Sequence, residues 1–321
     1  MFSLNFHKPG NYFFILPWVA FIPWYGMLIA MLICYAAQGH PLYWFMSEKA
    51  SPVYISDIGA TNLRPLFISC VAWEGLGYAL TVFAEYYQRS GGDIPMFRRK
   101  SQGASRKFLM PPWYRKDERN LIFAACILGA LGEIALLMCT IFSTAHYHHV
   151  HLAMVAVFVV LMFFSVVCLS TEYFLMGRHY ALLHPLADHT RDLPEKPEDI
   201  PWYKWEGYVW NKFFISGLAK AIWLVFAVVW AICFGAISDD STSACFEWLL
   251  AFWFGLLFII ISVDFYMGSR YKDSRYFNRI ESFAGYYKYD QMLGAVDVSI
   301  QMTGDDDQSF DKAVTNSASS V

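Results

Sequence analysis

Six runs of almost unbroken apolar residues, at about 12–35, 65–87, 120–142, 150–171, 213–237 and 246–267, punctuate this chain. Each approaches the ~20 apolar residues that a helix needs to cross the hydrocarbon core of a bilayer. Backbone groups in lipid find no water to bond, so runs of this length predict helices. The expected fold is all-α: a polytopic membrane protein built as a six-transmembrane-helix bundle. Residues 1–287 are expected to form the membrane domain, and 288–321 a disordered acidic cytosolic tail.

The polar positions between the runs carry the orientation. Lys and Arg crowd the segment between the second and third runs (Arg89, Arg98, Arg99, Lys100, Arg106, Lys107, Arg115, Lys116, Arg119), the segment between the fourth and fifth, and the segment after the sixth. The alternate connections hold only Lys49 and Arg64. Positive charge collects on the cytosolic side, so both termini are expected there. The first run is too long for a signal-peptide core and reads as a signal anchor. Pro17 and Pro23 within it predict a kink. With 57% hydrophobic and 16% charged residues, little chain is left for a separate soluble domain. The seven cysteines form no CxxC pair, which leaves no visible zinc or redox framework. Cys233 and Cys245 flank one outer turn, as a disulfide or as two small apolar residues.

Three ionisable residues fall deep inside the runs: Glu74, Glu133 and Lys220. Unpaired charge near the bilayer centre costs several kcal/mol, at about 2.5–3.5 on insertion scales, so such groups face the interior and pair. At ~1.5 Å per residue the two acids lie at matched depth, about 14 Å below the outer edge, and the Lys220 stem is expected to reach toward them. They are candidates for binding a lipid headgroup, an ion or a proton, or for a structural pair. Glu85, Glu172 and Asp264 read as ordinary interfacial charges. His146, His148, His149 and His151 form a turn after the third run. It is a weak metal candidate without a carboxylate of its own, and otherwise a polar cap. The basic segment with Arg98, Arg99, Lys100, Arg106, Lys107, Arg115 and Lys116 alternates with aromatics. It is expected to contact anionic inner-leaflet lipid such as phosphoinositide, unless its charge is purely topogenic. Small residues at helical spacing, Ala125, Gly129 and Gly132 in the third run and Ala227, Ala231 and Gly235 in the fifth, predict close helix packing or a partner face. No nucleophile elbow, P-loop or dinucleotide fingerprint is present, so no enzymatic activity, cofactor or nucleic-acid partner is expected.

The first outer loop reads Tyr54, Ile55, Ser56, Asp57, Ile58, Gly59, Ala60, with Arg64, Pro65, Leu66 and Phe67 opening the second run. With Trp24, Tyr25 and Gly26 in the first run, this resembles the Frag/DRAM family of six-span membrane proteins. Within it the chain looks most like the fungal suppressor-of-four-kinase branch, related to vertebrate transmembrane protein 150. The resemblance implies a non-enzymatic plasma-membrane regulator or scaffold. It would support the phosphatidylinositol 4-kinase complex at the membrane and influence phosphoinositide or leaflet lipid organisation. Other branches imply an autophagy or lysosomal modulator, at a lysosomal, vacuolar or Golgi membrane. A third reading is a lipid-binding transporter or scramblase-like protein using Glu74, Glu133 and Lys220. The family loop is expected to close over the outer end of the bundle, as a structural lid or a ligand site. A cytosolic partner is expected on 269–321.

Overall fold

The computed structural model describes residues 13–46, 50–89, 116–182 and 212–269. Those residues form seven helices: α1 (Leu16–Ala37), α2 (Ile55–Gly59), α3 (Arg64–Arg89), α4 (Lys116–Ile141), α5 (Thr144–Leu182), α6 (Lys212–Ala236) and α7 (Asp240–Ser269). Six of them are long and apolar enough to cross a membrane; α2 is a single short helix in the first loop. The basic stretch at 98–115, the segment 183–211, the end of the expected membrane domain at 270–287 and the acidic tail lie outside the described residues.

The boundaries depart from the apolar runs where polar residues continue a helix. The α5 helix begins at Thr144, so the histidine-rich turn is its first turns rather than a loop, with Tyr147 outside helical geometry. Its far end reaches Leu182, well past the apolar run that ends at about 171. At ~1.5 Å per residue a helix this long exceeds the bilayer core and projects beyond it. In α1, Pro17 sits in the first turn, where its missing N–H costs nothing, whereas Pro23 is interior.

The six spans close into a ring in which α3 packs on α1, α4 on α3, α5 on α4, α6 on α5, α7 on α6, and α1 on α7. The short connections between α4 and α5 and between α6 and α7 make those two pairs antiparallel neighbours. Indole and phenol groups join the seams by donating to helix carbonyls: Trp24 Nε1 to Ala251 O (2.7 Å) and Tyr25 Oη to Phe252 O (2.6 Å). Trp223 and Trp253 exchange such bonds, at 2.7 and 2.8 Å, between α6 and α7. These donors matter because no water reaches the seam to satisfy an indole N–H.

Small residues set how near the helices come. A Cβ on Gly77 would lie 2.6 Å from the Ala20 backbone nitrogen, so α1 and α3 touch backbone to backbone there. On α4, Ala125 is wholly buried, Gly129 lies against the Tyr78 ring and Ser165, and Gly132 against Met162. The small face of the third run is therefore a packing face within the bundle.

Candidate functional site

Three polar assemblies interrupt the apolar interior, at three depths. The deepest is made by α3 and α4. Glu74 and Glu133 are 0% and 5% exposed, and their carboxyls stand within hydrogen-bonding reach of one another. No side-chain or backbone donor reaches any of their four oxygens. A proton held between them would supply the donor that each lacks. Gly75 makes room for this: a Cβ there would lie 3.0 Å from that of Glu133. One turn below, Tyr78 Oη meets Ser165 Oγ at 2.9 Å, and Ser165 donates to Ala125 O at 2.7 Å.

Lys220 does not reach these acids. Its ammonium pairs with Asp264 Oδ2 at 2.5 Å, donates to Ser216 Oγ at 2.7 Å, and lies 3.3 Å from the centre of the Tyr173 ring. Ser216 also donates to Asp264, and Tyr173 Oη donates to Glu85. The distance in sequence hid this arrangement, because Asp264 lies on α7, which packs beside α6 at the depth Lys220 occupies. The acids beside the chain termini are likewise not simple interfacial charges. Glu85 and Glu172 are 2% and 0% exposed, with Glu118 and Arg178 also buried at that end. These four side chains come to that end from α3, α4 and α5, where burial of ionised groups calls for mutual pairing.

At the opposite end α2 lies over the ring. Its first N–H groups have no helical partner of their own. Glu247, on α7, accepts from Ile55 N at 2.6 Å and also bonds Ser56. Trp248 Nε1 donates to Val53 O at 2.9 Å, and Tyr54 Oη reaches Asp240 at 3.4 Å. Gly59 is needed because any Cβ there would penetrate the Phe67 ring. The family loop is thus an ordered roof clamped from α7. Glu247 is a residue that sequence reasoning missed. Its signal was a carboxylate one position inside the last apolar run, with no basic residue near it in sequence.

Under this roof lies a cavity of about 560 Å³, bordered by α1, α4, α5, α6 and α7. Its walls include Trp24, Phe158, Trp223, Ala227, Ala231 and Phe254. The volume falls in the range of small-molecule pockets. Of the small residues of α6, Ala227 and Ala231 line this space, whereas Gly235 faces open space, with no atom within 4 Å of a Cβ built on it. Val160, Phe164 and Ile232 on its rim are 52%, 50% and 62% exposed, on faces that a span turns to acyl chains. The opening is lateral, between α5 and α6. Polar groups gather only beneath the roof: Ser56, Glu247, His151 and Cys139.

The histidine cluster is dispersed by the helix that carries it. His146, His148 and His149 are exposed, and His151 is buried and lines the cavity. Among the described residues no three His, Cys, Asp or Glu side chains are placed to hold a metal ion. All seven cysteines are free, Cys233 and Cys245 included.

Asp57 in the roof has its carboxyl pushed up to about 6, by burial first and by the Asp240 charge second. The folded carboxyl binds its proton more tightly than the unfolded one, so docking of the roof is strongest at low pH. It weakens as pH rises from about 4 through about 6, and is constant above. A rise of about two units corresponds to at most about 3 kcal/mol, less for a half-buried side chain. Hydrogen exchange of the 55–59 amides, corrected for intrinsic rates, is expected to show weaker protection at pH 7 than at pH 5. Asp57→Asn should flatten the difference. The charged and titratable neighbours Asp240, Glu247 and Tyr43 remain in that variant, so a persisting slope would assign the effect to them.

Comparison with known proteins bears on the whole membrane domain. Residues 12–268 match the family model described as the Frag1/DRAM/Sfk1/Cwh43P N-terminal domain. "Protein SFK1" of Saccharomyces cerevisiae is 62% identical over 314 residues, covering 91% of this chain and 88% of that protein. "Protein sfk1" of Schizosaccharomyces pombe is 26% identical over 257 residues, covering 79% of this chain and 64% of that one. No solved structure matches.

Proposed function

The chain belongs to the Frag1/DRAM/Sfk1/Cwh43 family, in its Sfk1 branch, and from that premise we propose that it is a non-enzymatic lipid-binding regulator of the plasma membrane. It is a multi-pass membrane protein with six apolar spans. In this reading both termini face the cytosol, the α2 roof faces outward, and lipid enters between α5 and α6. Occupancy of the cavity influences leaflet lipid organisation. The cytosolic segments support the phosphatidylinositol 4-kinase complex and contact anionic inner-leaflet lipid. The carrying observation is the apolar, laterally open cavity roofed by the family's own loop motif. An apolar space open to acyl chains is filled by what the bilayer offers, because leaving it empty forfeits dispersion contacts along every wall.

The transporter reading needs Glu74, Glu133 and Lys220 in one site. The engagement of Lys220 with Asp264 favours the regulator reading over it.

Filling the cavity tests the proposal. Ala231→Trp places an indole where α6 borders the space. The purified variant is expected to retain much less co-purifying lipid than the parent by native mass spectrometry. In cells, it should reach the plasma membrane yet leave phosphatidylinositol 4-phosphate reduced. Unchanged lipid retention would remove the cavity from the proposal. Normal phosphatidylinositol 4-phosphate with lost lipid retention would remove the kinase link.

A further inference from the structure

Hydrogen-bonding chemistry at the roofed end of the cavity selects among lipids. The two indoles on its wall have no N–H to offer: Trp24 donates to Ala251 O and Trp223 to Trp253 O. His151 Nδ1 lies 2.9 Å from Cys139 O and 3.1 Å from Phe142 O. A nitrogen facing two carbonyls carries the proton, which makes Nε2 the acceptor. Cys139 Sγ is 3.4 Å from Nδ1 and 3.6 Å from Nε2. The thiol is a weak donor beside the ring, and its contact to Nε2 is the longer of the two. Ser56 uses its hydroxyl on Glu247, so its oxygen remains an acceptor. Glu247 adds an acidic group, with Asp57 and Asp240 close by in the roof and its support. Among the described lining residues none is Lys or Arg.

A phosphate or carboxylate brought to that end would find acceptors and acidic neighbours but no cationic donor among the described lining residues, and its desolvation would go uncompensated. A head that donates, by hydroxyl or ammonium, would find His151 Nε2, Ser56 Oγ and the Glu247 carboxyl. We infer that the cavity binds lipids with an apolar body and a small hydrogen-bond-donating head, a hydroxyl or an ammonium, and excludes those presenting phosphate or carboxylate there. The inference rests on the proposed lipid occupancy of the cavity and adds the chemical class of the occupant.

Photoreactive probes with one C16 chain, a diazirine near its end and three different heads separate the possibilities. Hexadecanol, hexadecylamine and palmitic acid analogues are offered to the full-length protein in nanodiscs, and labelled peptides are mapped. Alcohol and amine are expected to label α5 and α6 wall residues about tenfold more than the acid, the scale of one or two hydrogen bonds. Glu247→Gln keeps an acceptor oxygen and cannot form an ion pair with an ammonium, so it should lower amine labelling and spare the alcohol. Amine labelling that survives this change, with alcohol labelling weak, overturns the role of Glu247 and of the hydroxyl class. Equal labelling by all three heads, or preference for the acid, overturns the inference while leaving the cavity a lipid site. No head-dependent or head-independent labelling of these walls, in a sample where Ala231→Trp changes nothing, overturns the cavity reading and this inference with it.

Discussion

Lys220→Met is expected to destabilise the protein by about 3–5 kcal/mol, the scale for breaking a buried ion pair from one side. The ammonium is wholly buried, and three groups converge on it: Asp264, Ser216 and the Tyr173 ring. Methionine preserves most of the side-chain volume, so a loss reports charge rather than a cavity. What remains is the Asp264 carboxylate, little exposed and, among the described residues, bonded only by Ser216. The double variant Lys220→Met/Asp264→Leu should recover much of the loss, because removing both charges removes their joint desolvation cost. Thermal unfolding of detergent-purified protein, followed by fluorescence-detected size exclusion, reads both. Equal stability of parent and single variant would show that the pair contributes nothing.

Gly77→Leu is expected to prevent assembly of a monodisperse protein, or to cost about 3 kcal/mol or more. Overpacking of a core ordinarily costs about 1–3 kcal/mol where side chains can yield. Here the obstacle is backbone: a Cβ would stand 2.6 and 2.9 Å from the nitrogen and Cα of Ala20. The α1–α3 seam would have to open, and with it the packing around Trp24 and Tyr78 in the shared core. Gly26→Leu is the control. It lies on a span of similar apolarity, and nothing stands within 4 Å of its Cβ position. Expression and melting temperature should be near parent there. Equal damage at both positions would make the effect one of helix propensity or insertion rather than contact.

Several features were legible before any coordinates because they depend on what each residue must avoid. Apolar runs predict spans, since lipid tolerates no unpaired backbone, and six helices of sufficient length occupy those stretches. The burial of Glu74 and Glu133 followed from the cost of charge in hydrocarbon, and their matched depth from helical rise. The loop motif at 54–60 identified the family that residues 12–268 match. The histidines were legible as a cluster in sequence and not in space: His151 is buried, whereas His146, His148 and His149 are exposed.

By itself the sequence determined which segments are membrane helices and which residues lipid would refuse, because both follow from transfer of local groups out of water. Only the tertiary structure decided partners. Lys220 takes Asp264 rather than the glutamates, and Glu247 clamps a loop nearly two hundred residues earlier, at |i−j| = 192. Which helix stands beside which is a property of ring closure between α1 and α7, and no local pattern encodes it. The cavity is of the same kind: Ala227 and Ala231 look like a packing ladder along the chain, and become a wall because residues of α1, α4, α5 and α7 enclose a space with them under the α2 roof.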